Sequence, residues 1–91
     1  MIVNTKYGEF NCEDINRKER RKWLKKAKKV FKDQEPDAIH DLCDEFAIIA
    51  FKDDKGIEKA LKELSAIQED EVLIQIVCEY MGVDLGKLTG D

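Results

Sequence analysis

The sequence has few of the residues that mark several large classes of protein. Its 91 residues include three cysteines, one histidine, one proline and five glycines. Cys12, Cys43 and Cys78 are far apart and have no paired spacing, which argues against a disulfide framework or a zinc ribbon. The glycines stand alone, so there is no glycine-rich phosphate loop. No apolar run approaches the roughly 20 residues that span a bilayer.

These absences favour a reduced protein of the cytoplasm. Residues 1–6 lack the apolar segment of a signal peptide, so we expect neither secretion nor membrane insertion. A chain of 91 residues makes one modest core, and a hydrophobic fraction of 43% is high enough to fold it. We therefore predict a single domain over residues 1–91.

Side chains that could act in catalysis are present, but they do not form a recognisable site. His40, Cys43 and Asp44 lie about one helical turn apart. A closed zinc site needs about four ligands, and only Cys12 and Cys78 remain to supply thiolates. A cysteine nucleophile would need the single histidine and an orienting third group. We expect no metal, no cofactor and no catalytic residue, hence a protein that is not an enzyme.

The pattern along the chain predicts a mainly α fold, in which an N-terminal β-hairpin is followed by about four helices in one compact domain. Residues 1–15 form the hairpin, because β-forming residues flank a turn that contains a glycine. Residues 16–82 are predicted to be helical, since apolar residues recur there at helical spacing. Residues 83–91 are predicted to be a flexible tail.

Capping signals place the ends of these helices. The pairs Asn16 with Glu19 and Ser65 with Gln68 have capping-box spacing at the starts of the first and fourth helices. Pro36 is suited to the first turn of the second helix, and Gly82 is suited to the C-terminal cap of the fourth. The polar residues 52–56 interrupt the pattern before a short third helix.

The net charge of -4 hides a strongly basic first helix. Residues 17–32 carry ten Lys or Arg against Glu19, a net charge of +9, while residues 1–16 carry -2 and residues 33–91 carry -11. Apolar residues that include Trp23 make a narrow stripe on this helix, and the cations take the opposite side. The predicted electrostatic face for a partner consists of Arg17, Lys18, Arg21, Lys22, Lys25, Lys26 and Lys29.

Three interpretations of this basic face are open. In the first, the cations serve no ligand and face either solvent or the acidic body, residues 33–91. Alternatively, they dock an acidic protein partner or bind the phosphates of a nucleic acid. Trp23 lies on the apolar stripe and no base-reading pattern is present, which weighs against nucleic acid. We therefore expect a protein partner or self-association before nucleic acid.

A second set of candidates is apolar. Ile48 and Phe51 lie off the main stripe of the second helix, and Ile74 and Val77 lie at the edge of the stripe of the fourth. Such residues either form an interface with a partner or belong to the core of a small domain. The sequence leaves both alternatives open.

Four segments, in this order, carry a family resemblance: IVNTKYGEF at residues 2–10, NRKERR at 16–21, Leu64-Ser65 with acidic residues before Val72, and EYMG at 79–82. Their order resembles that of the small tail assembly chaperones of tailed bacteriophages. The resemblance implies an assembly factor that is not an enzyme, binds apolar helical segments of the tape measure protein and self-associates while tails are built. It transfers no functional residue, because the family has no catalytic motif.

Overall fold

The computed structural model describes residues 1–82, and the predicted flexible tail, residues 83–91, lies outside them. An antiparallel hairpin comes first, and four helices follow it. The elements are β1 (Ile2–Thr5), β2 (Gly8–Asn11), α1 (Arg17–Asp33), α2 (Pro36–Phe51), α3 (Asp54–Leu61) and α4 (Ala66–Met81). The predicted mainly helical fold with an N-terminal hairpin is confirmed.

The hairpin turns within two residues, because Thr5 pairs with Gly8. Gly8 has a φ of 119°, a backbone conformation that glycine adopts without steric cost. Val3 of β1 is completely buried, so one face of the hairpin is part of the core. The hairpin is therefore held by the helices, as its marginal stability in isolation requires.

The helix ends follow most of the predicted caps. Pro36 occupies the first turn of α2, Ser65 and Gln68 form both bonds of a capping box, and Gly82 ends α4 in the left-handed conformation. The side chain of Asn16 accepts a bond from the Glu19 amide, but Glu19 does not return it, so the first capping box was only half right. Asp53 caps α3, which therefore begins at Asp54, inside the polar stretch that was predicted to interrupt the helical pattern.

The core is centred on α2 and α4, which make the most extensive helix–helix contact among residues 1–82. Phe46 of α2 is completely buried. Its ring contacts Trp23 of α1 at 5.2 Å between centroids and Tyr80 of α4 at 5.6 Å. Aromatic pairs at these distances add stability beyond the area that they bury. Phe46 thus joins the three longest helices.

Arg20 fastens the start of α1 to the end of α4. Its Nε donates to the carbonyl oxygen of Tyr80 at 3.1 Å, and its Nη2 donates to that of Met81 at 2.6 Å. The last carbonyls of a helix have no partner within it and carry a partial negative charge, so a cation is favoured there. The Tyr80 hydroxyl also donates to the carbonyl of Glu13, which ties the same end of α4 to the hairpin side.

We expect Arg20→Ala to lower the free energy of unfolding by about 1.5–3 kcal/mol, because two hydrogen bonds from a charged donor are lost. Urea unfolding followed by circular dichroism measures the change. Arg21→Ala is the matched control: Arg21 is exposed and makes no such hydrogen bond, so its removal should not lower the stability. Equal effects at the two positions would contradict the assigned role of Arg20.

Candidate functional site

The basic face of α1 is a continuous cationic surface. Every residue predicted for it is exposed, and two further exposed lysines extend it. The face, as defined by the structure, comprises Arg17, Lys18, Arg21, Lys22, Lys25, Lys26, Lys28, Lys29 and Lys32. A helix of 17 residues is about 25 Å long. The cations are spread along this whole length.

The apolar side of α1 explains why these cations point outward. Ala27 and Phe31 are buried in the core. Trp23 is partly buried and its ring meets the edge of Phe46. A helix whose narrow stripe is packed in this way must turn its remaining surface to solvent. The indole is thus committed to packing and is not a free platform for stacking a base.

The acidic body neutralises little of the basic face by direct contact. Lys26 pairs with Glu45 at 2.7 Å and also lies 5.2 Å from the centre of the Trp23 ring. Among residues 1–82, no other cation of the basic face forms an ion pair. Eight of its nine side chains thus have their charge available to a ligand.

Like charges on this face lie one helical turn apart. Lys25, for example, has Arg21 four residues before it and Lys29 four residues after it. Each such pair destabilises a helix by about 0.2–0.5 kcal/mol at low salt. This repulsion does not help to position α1, which is held by its buried stripe and by the hydrogen bonds of Arg20.

The four apolar candidates occupy different places and do not form one surface. Ile48 is 50% exposed. Phe51 is partly buried, with its ring 6.4 Å from that of Phe10. Ile74 is also partly buried, and lines a cavity on the other side of α4 from Ile48. Val77 is wrong as an interface residue: it is 0% exposed, because the apolar stripe of α4 is wide enough to include it in the core.

Ile48 lies in a depression between α2, α3 and α4, with a volume of about 330 Å³. Its floor is apolar and its rim is acidic. The residues that line this Ile48 depression are Asp44, Ala47, Ile48, Asp54, Ile57, Leu61, Glu69 and Leu73. The rim could not be predicted from the sequence, because its three carboxylates come from three helices that meet only after folding, and acidic residues are abundant in this chain.

A larger cavity of about 530 Å³ separates β1 and the following turn from α4. Glu71 closes one end of it by accepting bonds from the Lys6 ammonium at 2.6 Å and the Tyr7 hydroxyl at 2.7 Å. The bond from Lys6 lowers the pKa of the Glu71 carboxyl and raises the pKa of Lys6. These contacts hold the hairpin turn against α4.

Cys12 and Cys43 are poor nucleophiles in this environment. Burial raises the pKa of the Cys43 thiol to about 12 and that of Cys12 to about 11, so both are protonated near neutral pH. His40 is exposed, and its Nε2 lies 3.9 Å from a carboxylate oxygen of Asp70. Residues 1–82 contain no group of three side chains placed to hold a metal ion. None of the helices among them is long and apolar enough to cross a membrane.

We expect Lys25→Glu to raise the free energy of unfolding by roughly 1 kcal/mol at low salt, because two repulsive pairs become attractive. The gain should shrink as salt is added. Thermal unfolding at two ionic strengths measures both effects. Lys59→Glu is the control: this exposed position has Lys55 on one side and Glu63 on the other, so the variant should show no comparable gain. A neutral or destabilising Lys25→Glu would contradict the predicted repulsion.

No family model matches the chain, and neither a curated protein nor a solved structure matches it.

Proposed function

We propose that the protein is a non-enzymatic binding or assembly protein that docks an acidic surface of a protein partner on the basic face of α1. The observation that carries this proposal is the set of eight exposed cations with no ion pair among residues 1–82. A strip of this kind speeds encounter with a partner of opposite charge and fixes its orientation.

The basic face is held rigidly, which favours binding. Arg20 anchors one end of α1 through two hydrogen bonds, and Trp23, Ala27 and Phe31 pack its opposite side into the core. A partner would therefore meet cations on a helix whose position is already fixed. Less conformational entropy is lost on binding to such a surface than on ordering a flexible basic segment.

The repulsion along the face supports the same conclusion. Like charges one turn apart lower the stability of α1, and no contact within residues 1–82 offsets them apart from that of Lys26 with Glu45. Stability that is given up at a surface position is typical of a binding site. An acidic partner would relieve this repulsion.

The kind of assembly is suggested by the sequence alone. Its resemblance to phage tail assembly chaperones supports an assembly factor that acts on a protein in the cytoplasm of a host cell. We therefore favour a chaperone-like factor of this type.

Nucleic acid is the second candidate, and the cations of α1 favour it too. Phosphates bind lysine and arginine side chains without any requirement for base recognition. Trp23 is, however, packed against Phe46 instead of being free to stack on a base.

The test compares a variant of the face with a charge-matched control. Lys22, Lys25 and Lys29 are replaced together by Glu, and binding of a fluorescent polyglutamate peptide is measured by anisotropy at low salt. The wild type should bind, and the variant should lose at least about tenfold in affinity, because three attractive charges become repulsive.

The control carries the same change of charge elsewhere. Lys55, Lys59 and Lys62 are exposed residues in and just after α3, and their replacement by Glu should leave the affinity close to that of the wild type. Equal losses in both variants, or no binding by the wild type, would overturn the proposal. Tighter binding of a DNA duplex than of the peptide, with release that follows several phosphate contacts as salt rises, would establish the second candidate instead.

A further inference from the structure

The Ile48 depression combines an apolar floor with an acidic rim. Its floor consists of aliphatic side chains from three helices, among them Ile57, Leu61 and Leu73. Ile48 stands at its edge and is 50% exposed, one of the three large hydrophobic residues in residues 1–82 that are exposed to this extent. The depression has a volume of about 330 Å³, which is enough for a large apolar side chain.

The carboxylates on its rim are not paired with a cation of residues 1–82. Asp44, Asp54 and Glu69 form no ion pair within the part of the chain that the structure describes. Their neighbours Glu45 and Asp70, by contrast, approach Lys26 and His40. Three unneutralised carboxylates thus surround an apolar floor, and none of the lining residues is basic.

The helix dipoles account for part of this arrangement. Asp54 lies in the first turn of α3 and Glu69 in the first turn of α4, where a negative charge is favourable. That explanation does not extend to Asp44, which lies in the middle of α2. It also does not explain why the apolar side chain of Ile48 remains exposed between acidic groups.

We propose that the Ile48 depression binds a basic amphipathic helix of a partner protein. A large apolar side chain of that helix would enter the depression against Ile48, and lysines or arginines one turn to either side would meet the three carboxylates. This is the way in which an amphipathic helix is recognised by a groove, with apolar anchors giving affinity and flanking charges giving orientation.

The charge of the rim identifies the chemistry of this partner. The site lies on α2, α3 and α4 and has the opposite sign to the basic face of α1, so the two surfaces select different ligands. The α1 of a second copy is a poor match. Its exposed side is cationic, while its apolar residues Ala27 and Phe31 are buried and unavailable to fill the depression.

The experiment uses the full chain and a synthetic probe, a helical peptide of about 18 residues with leucines on one face and lysines on the other. Its binding is measured by fluorescence anisotropy at low salt. We expect Ile48→Ser to weaken binding roughly fivefold or more, because apolar contact area is lost. Ile67→Ser is the matched control: Ile67 is 72% exposed and does not line the depression, and its variant should bind like the wild type.

A second pair of variants tests the charges. Asp44→Asn, Asp54→Asn and Glu69→Gln are combined, and we expect affinity to fall about tenfold at low salt and less at high salt. The control combines Glu9→Gln, Glu63→Gln and Glu79→Gln, which remove the same charge from exposed positions outside the depression. Circular dichroism and thermal unfolding of each variant confirm that it is folded.

Three results would overturn the proposal. The first is the absence of peptide binding by the wild type, and the second is an equal loss in the two charge variants, which would show attraction by net charge alone. The third is self-association of the wild type, seen by light scattering, that Ile48→Ser abolishes while Ile67→Ser does not, since a second copy would then occupy the depression. Because none of these variants alters α1, their outcome is separate from that of the polyglutamate test.

Discussion

The burial of one narrow apolar stripe on α1 determines where the charge of this protein lies. Ala27 and Phe31 enter the core, and Trp23 packs on Phe46, so the helix has only one rotational position about its axis. Most of its cations are therefore forced to one side, where the acidic body is out of reach of all but Lys26. Arg20 is turned the other way, and it stabilises the fold because the carbonyls at the end of α4 accept its hydrogen bonds.

Charge is separated across the molecule as a result. Residues 17–32 carry a net charge of +9, and their apolar side packs onto a body whose net charge is negative. Direct ion pairs between them would neutralise this difference, yet Lys26 with Glu45 is the one such pair between α1 and the rest of residues 1–82. The molecule thus presents a basic surface and an acidic, partly apolar one.

Much of this fold could be predicted from local patterns, because helix stripes and caps depend on residues close together in the chain. Ser65 with Gln68 and Pro36 were sufficient to place the starts of α4 and α2. Periodicity alone did not decide whether a residue at the edge of a stripe is buried, and Val77 was misplaced for that reason. The role of Arg20 and the rim of the Ile48 depression depend on contacts between distant segments, which leave no mark in a single sequence.

Docking of an acidic protein on the basic face of α1 can be observed residue by residue with nuclear magnetic resonance. Amide shifts of the labelled full chain are followed while the polyglutamate peptide is added. We expect the largest changes within residues 17–32, at the exposed positions of α1, and none in α3. Changes of similar size over the whole surface, or changes centred on another element, would contradict this docking.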